Sequence, residues 1–400
     1  MAKYYSRPVS LTHIKLSENH NYIAFLLDIV KNDKNFDENE NENEKYRQTK
    51  LLLKNIEKNV VCELSLPQGM TPADLEVAIS LSNDEVELIT LYFSVSHNGV
   101  RPDSVYGVEL DTLLLFGKDR QKSHVSERQG RLRKGRHKHH AIRTSSVSLS
   151  DLQLLAYERD PAYFLDVAKS KDDKFLLIHH HSKSSSEVSA LDINESKKSV
   201  KTLIPRLKGQ QCFVNHAHDS FYVAVSSDPN DVTEELTLRS IDSRKYLSTP
   251  LVADKWERWD AVWPCSHNDV NGRNTTFILD DYDIFDKHIV VYARDKSRGG
   301  DISIQLLEVN RDPCEQRTNS DSANSPRVKF VKAWNGKDFL TMIEKKYSIE
   351  KDFVNDAMDC VWTVSPSSNG NFLSKTVSFS LSSAVIPGAV PCSTLYILAI

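Results

Sequence analysis

The sequence predicts an all-β protein, a seven-bladed β-propeller built from four-stranded antiparallel blades. Three observations predict it. Segments with a 3.6-residue apolar period are nearly absent along the 400 residues. Short runs of alternating apolar and polar residues, bounded by Ser, Lys and Asp clusters, recur throughout instead. One stretch, residues 157–192 (YERDPAYFLDVAKSKDDKFLLIHHHSKSSSEVSALD), shows the unit whole. It places strands at Tyr163 to Ala168, Phe175 to His179 and Glu187 to Leu191, and a fourth follows at Val200 to Ile204. Four strands in about 45 residues is the size of one propeller blade.

The first blade is expected over residues 9–67, with strands at 11–16, 22–28, 50–54 and 60–66. Its first turn is Ser17-Glu18-Asn19-His20. Between its second and third strands lies NDKNFDENENENEKY, whose apolar content is too small to hold it in a core, so it reads as a solvated hairpin extension. Asp37, Glu38, Glu40, Glu42 and Glu44 raise a calcium loop as the sharper alternative. Calcium loops turn on a glycine, and none is present there.

The second blade, residues 75–157, takes strands at 75–81, 87–93, 105–110 and 152–157, rich in β-branched and aromatic residues. A basic insertion, 117–148, separates the last two. The third blade spans 163–204. The fourth spans 212–252, with strands at 212–216, 221–225, 235–241 and 247–252. Blades five to seven occupy approximately 255–400, including strands within 277–294, 302–309, 328–333, 360–364, 376–379 and 395–398. Trp256, Trp259 and Trp263 open that region and read as filling between packed sheets rather than as a ligand cage. The polar tract RDPCEQRTNSDSANSPR reads as a loop.

The insertion holds ten Lys/Arg against two acids, with no periodic apolar face. Such a run reads first as a solvated loop. Its charge also suits an acidic partner at residues 118–143, but it lacks the interleaved aromatics on which single-stranded nucleic acid stacks. His137, His139 and His140 fit no standard zinc spacing. A second cluster, His179, His180 and His181, alternates in direction along a strand, so the three do not share one ion easily. Strand-end histidines facing solvent are expected there.

The formal net charge of -4 favours no class of partner. Glycine is scarce, 13 of 400, about half the usual share. No run approaches the roughly 18 apolar residues of a membrane span, and the N-terminus MAKYYSRPVSL has no signal-peptide core. Cys62, Cys212, Cys265, Cys314, Cys360 and Cys392 are widely spaced without a CxxC. Buried reduced thiols and a cytoplasmic location are the expectation.

Several pieces, in order, carry a family resemblance. ERDPAYF, KDDKFLLI, the SSSEV turn and the closing ALD resemble the third blade of prolyl oligopeptidase family propellers. LSENHNYIAF resembles that family's first-blade opening, and RPDSVYGVEL the strand before a long variable loop. DYDIFDKHIVVYAR is similar to a later blade, and FSLSSAVIPGAVPCSTLY to the segment that ends the propeller. The pieces cover most of residues 9–398. The resemblance implies a serine peptidase whose activity resides in a separate α/β-hydrolase domain joined to the propeller from both sides. The propeller covers that active site and admits short peptides or, in the endopeptidase-like branch, small acyl or ester substrates.

That chemistry needs a serine on a G-x-S-x-G elbow, and the sequence contains no G-x-S-x-G. It also lacks a glycine-rich oxyanion loop and a strand–helix alternation after the last blade, so the chain ends about where a catalytic domain would begin. No catalytic, cofactor-binding or metal-binding residue is therefore expected, and the chain alone is expected to be inactive. The implied partners are an α/β-hydrolase domain and a short peptide or ester passing the propeller. The rival reading is a free-standing propeller acting as a protein-interaction scaffold.

Overall fold

The fold was analysed in a computed structural model. It describes residues 9–31, 46–81, 87–97, 99–116, 143–149, 151–195, 198–206, 208–226, 236–244, 259–263, 277–296, 299–310, 327–339, 341, 362–366, 369, 371–383 and 395–398. The acidic tract, residues 117–142 of the basic insertion, Trp256 and the last four cysteines lie outside the described residues.

The protein is all-β, with mostly four-stranded antiparallel sheets. Strands β1 (Val9–Leu16), β2 (Tyr22–Lys31), β3 (Tyr46–Asn55) and β4 (Val60–Ser65) form one meander. A second runs through β5 (Thr71–Leu81), β6 (Glu87–Ser96) and β7 (Ser104–Asp111), where the five-residue helix α1 (Thr112–Phe116) follows. The strand β8 (Arg143–Ser148) comes next, and β9 (Gln153–Tyr157) completes the second meander against β7.

The third sheet is β10 (Phe164–Lys169), β11 (Phe175–His181), β12 (Ser186–Asp192) and β13 (Val200–Ile204). The fourth is β14 (Cys212–Ala217), β15 (Ser220–Ser226), β16 (Leu236–Asp242) and β17 (Asp260–Trp263). The fifth is β18 (Phe277–Ile284), β19 (His288–Asp295), β20 (Asp301–Asn310) and β21 (Arg327–Asn335). Three strands make the sixth: β22 (Trp362–Pro366), β23 (Thr376–Ser383) and β24 (Leu395–Leu398). Six sheets are thus present among the described residues.

Three features depart from the sequence expectation. Residues 143–148, read as the end of the basic insertion, form β8, which pairs in parallel with β4 and makes the first sheet five-stranded. The polar composition RTSSVS hid it, because only Val147 marks an inward face. The fourth sheet closes through Asp260–Trp263, and residues 247–252 lie outside the described residues. Trp263 therefore belongs to the fourth sheet, not to a fifth unit. Helix α1 was not anticipated, since five apolar-rich residues are too few to show a helical period.

The chain divides into two compact units: residues 1–169, 178–183 and 190–201 form one, and residues 170–177, 184–189 and 202–400 the other. The core of the first gathers Leu26, Leu51, Leu53, Leu75, Ile89, Leu91 and Phe93, with Phe116 of α1 and Leu149 beyond β8. In the second, Tyr222, Leu238, Trp263, Leu279 and Val291 form one cluster, and Tyr292, Ile304, Phe339 and Phe379 another. β15 carries an unbroken apolar run and β6 a run broken only by Thr90 and Ser94, and residues 89–96 and 221–225 are buried on both faces. Trp263, although 1% exposed, donates its indole N–H to Gln305 Oε1 at 2.9 Å, as a buried Trp requires.

Two hairpins repeat one turn. Ser17 and Ser170 each end a first strand. In both, the serine Oγ donates to an Oδ1 two residues on (Asn19 or Asp172, 2.9 Å) and accepts the N–H of an aromatic residue five positions on (Tyr22 or Phe175, 3.0 Å). The serine N–H bonds the same aromatic's carbonyl. The third residue after each serine, His20 or Asp173, sits at positive φ (60° and 56°). Both types tolerate the left-handed region better than most.

Candidate functional site

In the second unit the Ser170 turn aims Asp172 at His216 of β14. His216 Nδ1 lies 3.0 Å from both Asp172 oxygens, and its side chain is fully buried. Phe175 and Phe221 pack on its ring at centroid distances of 4.5 and 4.7 Å. Burial opposes ionisation of Asp172. The His216 bond and charge, with help from Ser170 and Lys174, outweigh that and hold its carboxyl below the ordinary range. Lys174 also bonds Asp219 of the β14–β15 turn at 2.5 Å.

A carboxylate–histidine pair is two thirds of a hydrolytic triad, so the third member decides what it can do. His216 Nε2 and Ser220 Oγ are both buried without a hydrogen-bond partner. They do not meet across the hairpin. His216 pairs with Phe221 and Ala217 with Ser220, and successive residues point to opposite faces. The arrangement holds an imidazole; it does not activate a nucleophile. The Cys212 thiol is no better placed, because burial pushes it up to about 11 while Ser186 only partly offsets this.

Lys171, in the same turn, is a hub. Its backbone N–H donates to Asn215 Oδ1 at 2.9 Å, and its ammonium reaches Asp283 Oδ1 at 3.1 Å and the Asn369 carbonyl at 2.9 Å. Asn369 Nδ2 donates to Asp283 Oδ2 (2.8 Å) and to the Ser378 carbonyl (2.9 Å), and its Oδ1 accepts the Ser378 N–H. One turn residue is thereby tied to β14, to β18 and to the segment before β23.

In the first unit the histidine triplet is not solvent-facing, contrary to expectation. His180 is 7% exposed and bonds Glu158 at 2.7 Å. His179 and His181 stack on the opposite face, centroids 5.3 Å apart, as alternation requires. Burial, then the neighbouring His181 and His180, pushes His179 down to about 3. His181 Nε2 lies 3.9 Å from Asp166. Asp166 is pushed up to about 6 by burial and then by Asp74, with His13 acting the other way. Sequence reasoning missed Asp166 and Glu158, because their partners come from other strands and leave no local pattern. Among the described residues no group of three His, Cys, Asp or Glu is arranged to hold a metal ion. His137, His139 and His140 lie outside them, as do residues 118–142 of the expected partner contact at 118–143.

No protein-family model matches the chain, and none of the curated proteins matches it. Solved structures do. Oligopeptidase B from Leishmania major aligns with 95% of this chain at a TM-score of 0.52 and 12% identity. Oligopeptidase B from Trypanosoma brucei, with covalently bound antipain in its closed form, aligns with 97% at 0.51 and 14% identity. The chain shares its fold with part of oligopeptidase B. It spans 38% of the length of each, and at these identities the likeness is one of fold. Among the described residues no helix is long and apolar enough to cross a membrane.

Proposed function

We propose that this chain is the propeller of a serine hydrolase of the prolyl oligopeptidase family, a seven-bladed filter that governs which substrates reach a catalytic domain. One observation carries the reading: nearly the whole chain aligns with oligopeptidase B, yet it accounts for only 38% of that enzyme's length. The ordered family resemblances in residues 9–398 support it independently. The substrates are short peptides or small esters. The chain's own contribution is steric selection and gating, not bond-making. Buried hubs such as Lys171–Asp283–Asn369 keep the strand ends in place while this happens, and the buried thiols Cys62 and Cys212 suit a cytoplasmic setting.

The test is reactivity of the purified chain toward a fluorophosphonate probe and toward proline-containing peptides, dibasic peptides and short acyl esters. The expected outcome is no labelling and no turnover, because the sequence contains no nucleophile elbow. A serine labelled in the native chain but not after denaturation would overturn it. The basic run at 118–143 favours a second reading, a free-standing scaffold for an acidic partner. Tight binding of an acidic polypeptide, lost when residues 118–142 are made neutral, would support that alternative.

A further inference from the structure

We propose that Ser146 is a phosphorylation site and that its phosphate releases β8 from β4. Strand β8 is the least secured strand of its sheet. Among the described residues it occupies an edge, pairs on one side only, and does so in parallel, the weaker ladder per residue. Its register places Ser146 directly opposite Glu63 and Val147 opposite Leu64. Leu64 is buried, and Val147 packs on the core of the first unit, as does Leu149, whose N–H bonds the Ser65 carbonyl. Ser146 and Ser148 therefore point outward, and both are exposed. Ser146 Oγ lies 3.5 Å from Ser65 Oγ.

The sequence around Ser146 supplies what a basophilic kinase reads. Arg143 stands three residues before it, and Arg133, Lys134, Arg136 and Lys138 precede that. Such kinases bind substrates as extended chains, which an edge strand presents. The γ-phosphoryl group of a nucleoside triphosphate transfers to Ser146 Oγ. The P–O bond to the β-phosphate breaks, the nucleoside diphosphate leaves, and the hydroxyl proton passes to the kinase's base.

The product places up to two negative charges beside Glu63, whose own carboxylate already occupies the nearby cation, Lys50 Nζ, at 2.8 Å. Like charges directly opposite on paired strands are destabilising, and a phosphate beside a carboxylate disrupts in the same way. Repulsion acts on an edge strand held by one parallel ladder. Phosphorylation thereby frees the segment that follows the basic run and bares the β4 edge.

The experiment treats the full chain with a serine kinase that requires arginine three residues upstream. It then maps phosphate by mass spectrometry and follows hydrogen exchange of the peptide covering Val60–Ser65. Expected are phosphate on Ser146, none there in Ser146→Ala, and exchange across β4 accelerated at least threefold. Ser146→Asp should accelerate exchange in the same peptide, and Glu63→Gln should diminish the effect of the phosphate. Failure to phosphorylate Ser146 overturns the proposal. So does a phosphorylated Ser146 with unchanged exchange, or an effect that Glu63→Gln leaves intact.

Discussion

Asp166 carries a charge that the fold disfavours. Its neighbours include a second carboxylate, Asp74, and two histidines that carry charge only when protonated: His13, 3.8 Å from Asp74, and His181, 3.9 Å from Asp166 itself. A carboxyl raised to about 6 in the native state, against about 4 unfolded, destabilises the protein when ionised. That penalty is absent below about pH 4, grows between pH 4 and 6, and is complete above 6. Asp166→Asn should therefore raise the melting temperature at pH 8, modestly because the side chain is 42% exposed and water screens the penalty, and leave it unchanged at pH 3.5. A loss of stability at pH 8 would mean that the His181 contact outweighs the burial. None of this was legible in the sequence. The HHH run was conspicuous, and alternation gave its directions correctly. Burial of its middle member depends on Glu158, 22 residues away, and no local pattern announces that.

At the level of elements, alternation located most strands within two or three residues, since the period of 2 survives wherever one face is buried. The strands that escaped had lost it. In β8 a single valine, Val147, stands in the polar run RTSSVS. In the fourth sheet Asp260–Trp263 pairs with β16, a strand of four residues, too short to show an alternation. The Ser17 and Ser170 turns were visible as turns but not as one turn used twice, because only the hydrogen bonds reveal it. Both serines are buried, at 1% and 3% exposure. Ser17→Ala and Ser170→Ala should each cost about 1 to 2 kcal/mol, since each leaves a buried backbone N–H without its acceptor. Equilibrium urea unfolding measures this. A change below about 0.5 kcal/mol, the range of ordinary surface substitutions, would show that the turn holds without its serine.

For the whole molecule, the all-β class and the four-strand rhythm were legible because each sheet is formed from strands adjacent in sequence, with β8 as the exception. The number of blades was not. Where polar tracts in the sequence are long, as at 311–326, strand spacing loses its regularity and counting fails. The proposed function rests on the family-like pieces of the sequence and on a fold shared with part of oligopeptidase B. The proposed filter stands on the propeller, so the most direct measurement is a crystallographic or cryo-electron density map of the purified 400-residue chain. Seven antiparallel sheets, most of them four-stranded, arranged around one axis with an opening along it, are expected. Six or fewer sheets, or sheets packed face to face as sandwiches without an axial opening, would contradict the propeller.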